Sequence, residues 1–78
     1  MLNETFKLEK TDLGHYVVVS FGPVAEENLP QPGQFYMFYK EYVKKPFSVA
    51  FLKENRLFFI IKKVGPFTSS IPDEVRVE

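Results

Sequence analysis

Residues 47–64 read FSVAFLKENRLFFIIKKV, and this stretch decides the class of fold. Two runs rich in β-branched and aromatic residues flank the polar pair Glu54-Asn55, which is typical of a β-hairpin turn. We therefore predict one strand over residues 47–52 and its antiparallel partner over residues 56–64. The apolar residues of these runs do not recur at helical spacing, so the pattern favours a sheet.

Four further strands are predicted outside this hairpin. Residues 5–10 (TFKLEK) alternate apolar and polar side chains, and residues 16–21 (YVVVSF) are β-branched and aromatic, with a turn between them at residues 12–14. Residues 34–39 (QFYMFY) are apolar on both faces of a strand. A last short strand is predicted over residues 74–77.

The segments between the strands carry loop and turn signals. Residues 22–33 contain two glycines and three prolines, which predicts a long loop, and residues 40–45 are predicted to be a short charged link. Gly65-Pro66 ends the preceding strand, and the hydroxyl side chains that follow predict one helical turn over residues 68–71. Six short strands separated by turns predict an all-β fold, a small six-stranded antiparallel Greek-key barrel, because closure removes exposed sheet edges.

One face of each strand is predicted to form the core, since strand side chains alternate with period two. The residues assigned to the core are Phe6, Leu8, Val17, Val19, Phe35, Met37, Val49, Phe51, Leu57, Phe59 and Ile61. On the opposite face we expect an apolar patch formed by Tyr36, Phe38, Phe58 and Ile60. Such a patch is large for a small monomer, so we expect a ligand, a further domain or self-association to cover it.

Composition limits the classes of function. The chain has 78 residues and no cysteine, so it is at most one small domain without disulfides or thiolate-bound zinc. Ten basic and ten acidic side chains give zero formal net charge, which argues against a dedicated nucleic-acid binder. The longest apolar runs are far shorter than the ~20 residues that span a bilayer, so we expect a cytoplasmic protein without a membrane partner.

Four short motifs, spaced over about 40 residues, carry the functional prediction. They are PGQF from residue 32, Lys45-Pro46-Phe47-Ser48, Ile60-Ile61-Lys62 and Gly65-x-x-Thr68. In their order and spacing they resemble the FAD-binding barrel domain of the ferredoxin reductase superfamily, and most closely the electron-transfer subunit of bacterial dihydroorotate dehydrogenase. The resemblance extends over most of the chain.

The resemblance implies a binding site for FAD. The residues that it implies are Lys45, Pro46, Phe47, Ser48, Ile60, Ile61, Lys62, Phe67 and Thr68. Lys45 stands where the family has an arginine on the pyrophosphate, Phe47 where a side chain lies against the isoalloxazine ring, and Ser48 near the reactive edge of that ring. The amides of Phe67 and Thr68 correspond to donors for the phosphates. Lysine keeps a point charge but lacks the planar fork of arginine, so we expect looser binding.

The resemblance also implies the role of the module. It would be part of an electron-transfer flavoprotein, passing electrons between a nicotinamide or iron-sulfur partner and a substrate-reducing partner, with FAD carrying the electrons. Residues 1–78 would form a single domain, the N-terminal part of a longer reductase-like protein. Its partner would be a nucleotide-binding reductase domain or subunit, so the isolated chain would be an oxidoreductase component and not a complete enzyme.

Two alternatives from other classes stay open. Lysines and aromatic residues are interleaved over residues 38–45, as on barrels that stack single-stranded nucleic acid, although the zero net charge disfavours this reading. A cofactor-free interaction domain is the second alternative. His15 is the only histidine and Glu26-Glu27 lies in a predicted loop, so no metal site is expected.

Overall fold

A computed structural model of the chain describes residues 3–30 and 34–78. Within these residues eight strands, one 3-10 turn at Glu26–Asn28 and one short helix are present. The strands are β1 (Glu4–Lys7), β2 (Glu9–Asp12), β3 (Tyr16–Phe21), β4 (Phe35–Lys40), β5 (Val43–Ser48), β6 (Phe51–Lys53), β7 (Arg56–Lys62) and β8 (Glu74–Val77), and the helix is α1 (Pro66–Ser69). No helix in this part of the chain has the length and apolar character needed to cross a bilayer.

The strands form two antiparallel sheets of four strands each. The order is β1-β8-β4-β5 in the first sheet and β2-β3-β7-β6 in the second. The predicted antiparallel, strand-rich class with one short helix is therefore confirmed. The number of strands differs from the six predicted, because the strands expected over residues 5–10 and 47–52 are each divided in two where the chain passes from one sheet to the other.

Leu8 marks the first of these crossings. Its N–H donates to the carbonyl of Asp73 at 2.8 Å, beyond the end of the β1–β8 ladder, and its side chain is buried. The residues before Leu8 pair with β8, and those after it pair with β3. A continuous apolar and polar alternation across residues 5–10 therefore covers two strands in different sheets.

The second crossing contains a β-bulge. Val49 donates to the Gln34 carbonyl on the side of the first sheet, and Ala50 donates to the Phe58 carbonyl of the second sheet, both at 2.8 Å. Phe51 is also opposite Phe58, so two residues face one across the ladder. Because of the extra residue, the inward and outward alternation of side chains does not continue unchanged from β5 into β6.

The tight turns follow the sequence prediction. Glu54 and Asn55 have φ of 52° and 62°, the pair of positive values that a two-residue hairpin turn of the I′ type requires. In the β2–β3 turn, Gly14 has φ of 86° and its N–H donates to Asp12 Oδ1 at 2.8 Å. The predicted charged link at residues 40–45 is wrong, because β5 begins at Val43 and only a two-residue turn separates it from β4.

The helical turn lies two residues earlier than predicted, at Pro66–Ser69 instead of residues 68–71. Proline suits the first position of a helix, because its ring pre-sets φ and the missing N–H has no partner there in any case. The predicted loop over residues 22–33 contains the 3-10 turn, and residues 31–33 lie outside the described part of the chain.

The core lies between the two sheets. The fully buried or nearly buried apolar residues are Leu8, Val17, Val19, Phe21, Val24, Phe38, Val49, Leu57, Phe59, Ile61, Ile71, Val75 and Val77. Seven of the predicted core residues are among them, and Phe6 packs against them while partly exposed. The predicted core membership of Phe35 and Phe51 is wrong, since they are 64% and 43% exposed, and Met37 is only partly buried.

The error in β4 has a physical cause. Every residue over 35–39 is apolar, so alternation alone cannot say which face turns inward. Phe38 is opposite Val77 of β8, which is buried, and Phe38 itself has no exposed surface. Phe38 therefore belongs to the core and not to the expected outer patch, and Phe35 lies on the outer face.

Substitutions in β4 test this assignment. Phe38→Ala removes a fully buried ring and should lower the free energy of unfolding by about 3 to 5 kcal/mol. Phe35→Ala, the matched control on the outer face, should change it by less than about 1 kcal/mol. Urea unfolding followed by circular dichroism measures both values. Equal losses would show that the side-chain faces of β4 are not as described.

A substitution at Gly22 provides a second test of the fold. Its φ is 146°, and an added Cβ would lie 3.0 Å from both Arg56 Cα and the Asn55 carbonyl oxygen. Gly22→Ala should therefore destabilise the protein by about 2 to 3 kcal/mol in a urea titration. Gly65→Ala is the control, because Gly65 is extended with open space around it, and we expect a change within about 1 kcal/mol.

Candidate functional site

A groove of about 280 Å³ opens between β5 and the segment that carries α1. Its lining residues are Lys45, Pro46, Phe47, Val64, Gly65, Pro66, Phe67 and Thr68. Five of these are among the nine residues that the resemblance implied. Two segments about 20 residues apart in sequence thus form the two walls of one site.

Two aromatic rings form the apolar part of the groove. The rings of Phe47 and Phe67 are stacked, with centroids 6.0 Å apart and an interplanar angle of 19°. Phe47 also packs edge-on against the buried ring of Phe38, at 5.0 Å and 61°. The core therefore holds Phe47 in place, and Phe47 in turn supports Phe67 across the groove.

Lys45 supplies a positive charge beside these rings. It lies opposite Phe38 in the β4–β5 ladder, and Phe47 lies opposite Tyr36, so Lys45 and Phe47 are on the same face of the sheet. The Lys45 side chain is exposed. Among residues 3–30 and 34–78, the Lys45 side chain makes no ion pair or hydrogen bond. Its ammonium group is therefore available to bind an anionic ligand.

Pro46 lies on the free edge of the first sheet. The Val49–Gln34 hydrogen bond sets the alternation of the antiparallel ladder, and by that alternation the backbone of Pro46 faces away from β4. Met37, opposite Pro46, exchanges its hydrogen bonds with Glu78 instead. A proline at this position costs no ladder hydrogen bond and prevents another strand from pairing there.

Thr68 holds the α1 segment together. Its Oγ1 accepts hydrogen bonds from the N–H groups of Val64 and Gly65, at 2.8 and 3.0 Å, and donates to the Gly65 carbonyl at 3.3 Å. The residue is nearly buried. The Thr68 hydroxyl is therefore used inside the turn, and the charge that can meet a ligand comes from Lys45.

The other implied residues lie away from the groove. Ser48 is exposed on the opposite face from Phe47, because neighbouring strand residues alternate. Ile61 is buried in the core, while Ile60 and Lys62 lie on the outer face of the second sheet. In the predicted PGQF turn, Pro32 and Gly33 lie outside the described residues, and Phe35 is exposed.

A second cavity, of about 330 Å³, also borders Thr68, and the sequence motifs did not indicate it. It is lined by Lys10, Asp12, Val17, Lys63, Thr68, Ser69, Ser70 and Ile71. Lys63 pairs with Asp12 at 2.6 Å, and Lys10 pairs with Asp73 at 2.7 Å and donates to the Ile71 carbonyl at 2.7 Å. The alternation of side chains in β2 could have indicated that Lys10 and Asp12 face inward, because they lie opposite buried residues of β3.

The ion pairs at this cavity lower the pKa values of two carboxyl groups. The hydrogen bond from Lys63, followed by that from the Gly14 N–H, lowers the pKa of Asp12. The hydrogen bond from Lys10 lowers the pKa of Asp73. Both carboxyl groups are exposed to solvent, so each pair contributes a small and salt-dependent amount to stability.

Comparison with known proteins leaves the family of the chain open. No protein-family model, no curated protein and no solved structure matches it. The resemblance to the ferredoxin reductase superfamily therefore stays a prediction. Among the residues that the structure describes, no three His, Cys, Asp or Glu side chains are placed to hold a metal ion.

The face expected for nucleic acid is only partly present. Phe38 is buried and cannot stack on a base, whereas Tyr42 is fully exposed. Tyr39 is flanked by the Arg76 guanidinium at 4.6 Å and the Lys44 ammonium at 5.6 Å from the ring centroid. The interleaved aromatic and basic residues thus do not share one surface.

The two aspartates predict a pH dependence of stability. Because their pKa values are lower in the folded state, the ion pairs stabilise fully above the unfolded carboxyl pKa of ~3.9, and this stabilisation is lost as the pH falls through the folded values. The variant D12N/D73N should therefore be less stable than the natural chain at neutral pH, and the difference should shrink below about pH 4. Urea midpoints measured from neutral to acid pH give this difference. A difference that does not change with pH would contradict it.

Proposed function

We propose that the chain is the flavin-binding module of an electron-transfer flavoprotein, and that the groove between β5 and α1 holds part of FAD. The observation that supports the proposal best is the meeting of an unpaired Lys45 with the stacked rings of Phe47 and Phe67 in one groove. A flavin nucleotide combines an apolar aromatic ring with anionic phosphates. The groove offers a partner for each of the two.

Lys45 would meet the pyrophosphate. The ammonium makes no ion pair with the described residues, so a phosphate does not have to displace a carboxylate. A lysine is a point charge, so it attracts phosphate without fixing its orientation as an arginine would. Pro46 limits the backbone next to Lys45, which favours one position of the side chain.

Phe47 and Phe67 would lie against the isoalloxazine ring. Their contact and the packing of Phe47 on Phe38 keep this wall in place without a ligand, so little ordering cost remains for binding. When bound, FAD would supply the electron-transfer chemistry, and the residues of the chain would position it and exclude water from one side. Ser48 would contact the cofactor only across the free edge of β5.

The size of the groove supports a shared site. Its volume of about 280 Å³ is slightly below the usual range for a small-molecule site and suits part of a dinucleotide. The remainder would be covered by a nucleotide-binding reductase domain or subunit, which would bring nicotinamide, an iron-sulfur cluster or substrate to the flavin. We also propose that the two sheets, which share the bent segments β1–β2 and β5–β6, correspond to the six-stranded barrel of the ferredoxin reductase superfamily.

Titration with FAD and riboflavin tests the proposal. Lys45→Ala should weaken FAD binding by about 10-fold or more while leaving riboflavin binding nearly unchanged, because riboflavin has no phosphate. Lys45→Arg should tighten FAD binding, since it restores a bidentate donor. Quenching of flavin fluorescence measures both affinities. Lys53→Ala is the matched control, because Lys53 is an exposed lysine in β6 outside the groove.

Three outcomes would count against the proposal. If neither flavin binds at millimolar concentration, the groove is not a flavin site. If Lys45→Ala and Lys53→Ala weaken FAD equally, the effect is one of overall charge and Lys45 does not meet the phosphates. If Phe67→Ala leaves riboflavin binding unchanged in a chain that is still folded, the aromatic wall does not contact the ring.

A further inference from the structure

The second cavity, between β2 and the segment around α1, contains more hydrogen-bond donors than acceptors. Lys10 and Lys63 both line it, and each ammonium group carries three N–H donors. Lys63 donates to Asp12, and Lys10 donates to Asp73 and to the Ile71 carbonyl. Half of the ammonium donors therefore have no acceptor among the residues that the structure describes.

Two hydroxyl groups add to this excess of donors. The side chains of Ser69 and Ser70 line the cavity and make no hydrogen bond with residues 3–30 and 34–78. Asp12 is the carboxylate of the lining, and its two oxygens already accept hydrogen bonds from Lys63 and from the Gly14 N–H. The group that this cavity lacks is an acceptor, and an anion supplies one.

The lysines are more enclosed than the carboxylates that pair with them. The side chains of Lys10 and Lys63 are 31% and 21% exposed, against 92% for Asp73 and 69% for Asp12. Ion pairs with partners as exposed as these are weak, because water competes for the carboxylate. An incoming anion can therefore replace the aspartates while the lysines keep their positions.

We propose that this cavity binds a small monocarboxylate, with its carboxylate between the ammonium groups of Lys10 and Lys63. The two lysines and Asp12 leave one positive charge in excess in the lining, and one carboxylate balances it. Asp73 pairs with Lys10 from outside the lining, where water screens its charge. A phosphate monoester carries about 1.5 to 2 negative charges at neutral pH and would leave excess negative charge beside Asp12.

The body of the ligand is small and apolar. Val17 and Ile71 are the apolar residues of the lining, and both belong to the buried core, so they form a fixed apolar wall. The volume of about 330 Å³ is at the low end for a small-molecule site. The cavity therefore suits a carboxylate on a short aliphatic chain or a single ring.

The proposal does not rest on the flavin site. The linings of the groove and of the second cavity share only Thr68, whose hydroxyl is used by the N–H groups of Val64 and Gly65. Neither Lys45 nor Phe47 lines the second cavity. Carboxylate binding and flavin binding can therefore succeed or fail separately.

Titration of the chain with benzoate, followed by amide NMR at constant pH and ionic strength, tests the proposal. We expect a Kd of about 1 to 10 mM, because the ligand is small and the ion pairs are partly exposed. The amide signals of Lys63, Ser70 and Ile71 should shift, and that of Phe47 should not. Benzyl alcohol, which has the same ring without the charge, should bind at least about 5-fold more weakly.

Substitutions of the lysines identify the groups that bind. Lys10→Met and Lys63→Met keep an unbranched side chain without the charge, and each should weaken benzoate binding by about 5-fold or more. Lys53→Met is the matched control, because Lys53 is an exposed lysine outside the cavity, and it should leave the affinity unchanged.

A substitution of Asp73 tests the competition in the opposite direction. Asp73→Asn removes the carboxylate that pairs with Lys10, so it should tighten benzoate binding. Glu27→Gln is the control for overall charge, since Glu27 is exposed in the 3-10 turn and does not line the cavity. It should leave the affinity unchanged.

Four outcomes would overturn the proposal. The first is that benzoate at about 50 mM, well above the expected Kd, shifts none of the cavity amides. The second is that benzyl alcohol binds as well as benzoate, which indicates an apolar cavity and not an anion site. Tighter binding of inorganic phosphate would contradict the choice of a carboxylate. Equal effects of Lys10→Met, Lys63→Met and Lys53→Met, in chains with unchanged circular dichroism, would show that only overall charge matters.

Discussion

Contact between three phenylalanine rings joins the two sheets, and the rest of the structure depends on it. Phe21 and Phe59 come from the second sheet and stack with centroids 5.6 Å apart. Phe38 comes from the first sheet and meets them edge-on at 6.1 and 5.1 Å. None of the three rings has exposed surface, so each contributes roughly 1.5 to 3 kcal/mol through burial. With no cysteine in the chain, apolar packing of this kind must hold the sheets together.

The candidate site is an extension of this aromatic cluster. Phe38 contacts Phe47, and Phe47 contacts Phe67, so a line of rings leads from the core to the groove. The position of the aromatic wall is therefore coupled to the packing of the sheets. Lys45 lies two residues before Phe47 on the same face, which is why a charge and an aromatic wall occur together at the edge of the first sheet. The turn held by Thr68 supplies the opposite side.

Much of the secondary structure could be predicted because the local signals are strong. The Glu54-Asn55 turn and the strands on either side agree with the structure. The same turn also contained information about Phe51. A two-residue turn places Leu52 opposite Leu57 and Phe51 opposite Phe58, so Phe51 and the buried Leu57 cannot share a face. Applying the register of the turn would have placed Phe51 correctly, whereas no local signal could have placed Phe38.

The residues that the resemblance implied for the site lie together only in part. Lys45 and Phe47, which are close in sequence, line one groove together with Phe67, and the resemblance implied all three. Ile60, Ile61 and Lys62 were grouped with them by order along the chain, yet β7 turns Ile61 into the core and Ile60 outward. Neighbouring residues of this strand face opposite sides of the sheet, so the side chain of Ile61 does not share a surface with those of Ile60 and Lys62. The second cavity is bordered by ion pairs between residues that are far apart in sequence, and no local sequence pattern shows which of these charges meet.

The amino-acid sequence by itself determined the class of fold, the tight turns and most strand positions, because turn chemistry and β-branched or aromatic runs act over a few neighbouring residues. Only the tertiary structure decided which face of β4 is buried, where the chain crosses between the sheets, and which charges meet around the second cavity. A strand that is apolar on both faces can turn either side inward at similar local cost. The choice is made by the strands that pack against it, such as β8 with Val77 opposite Phe38.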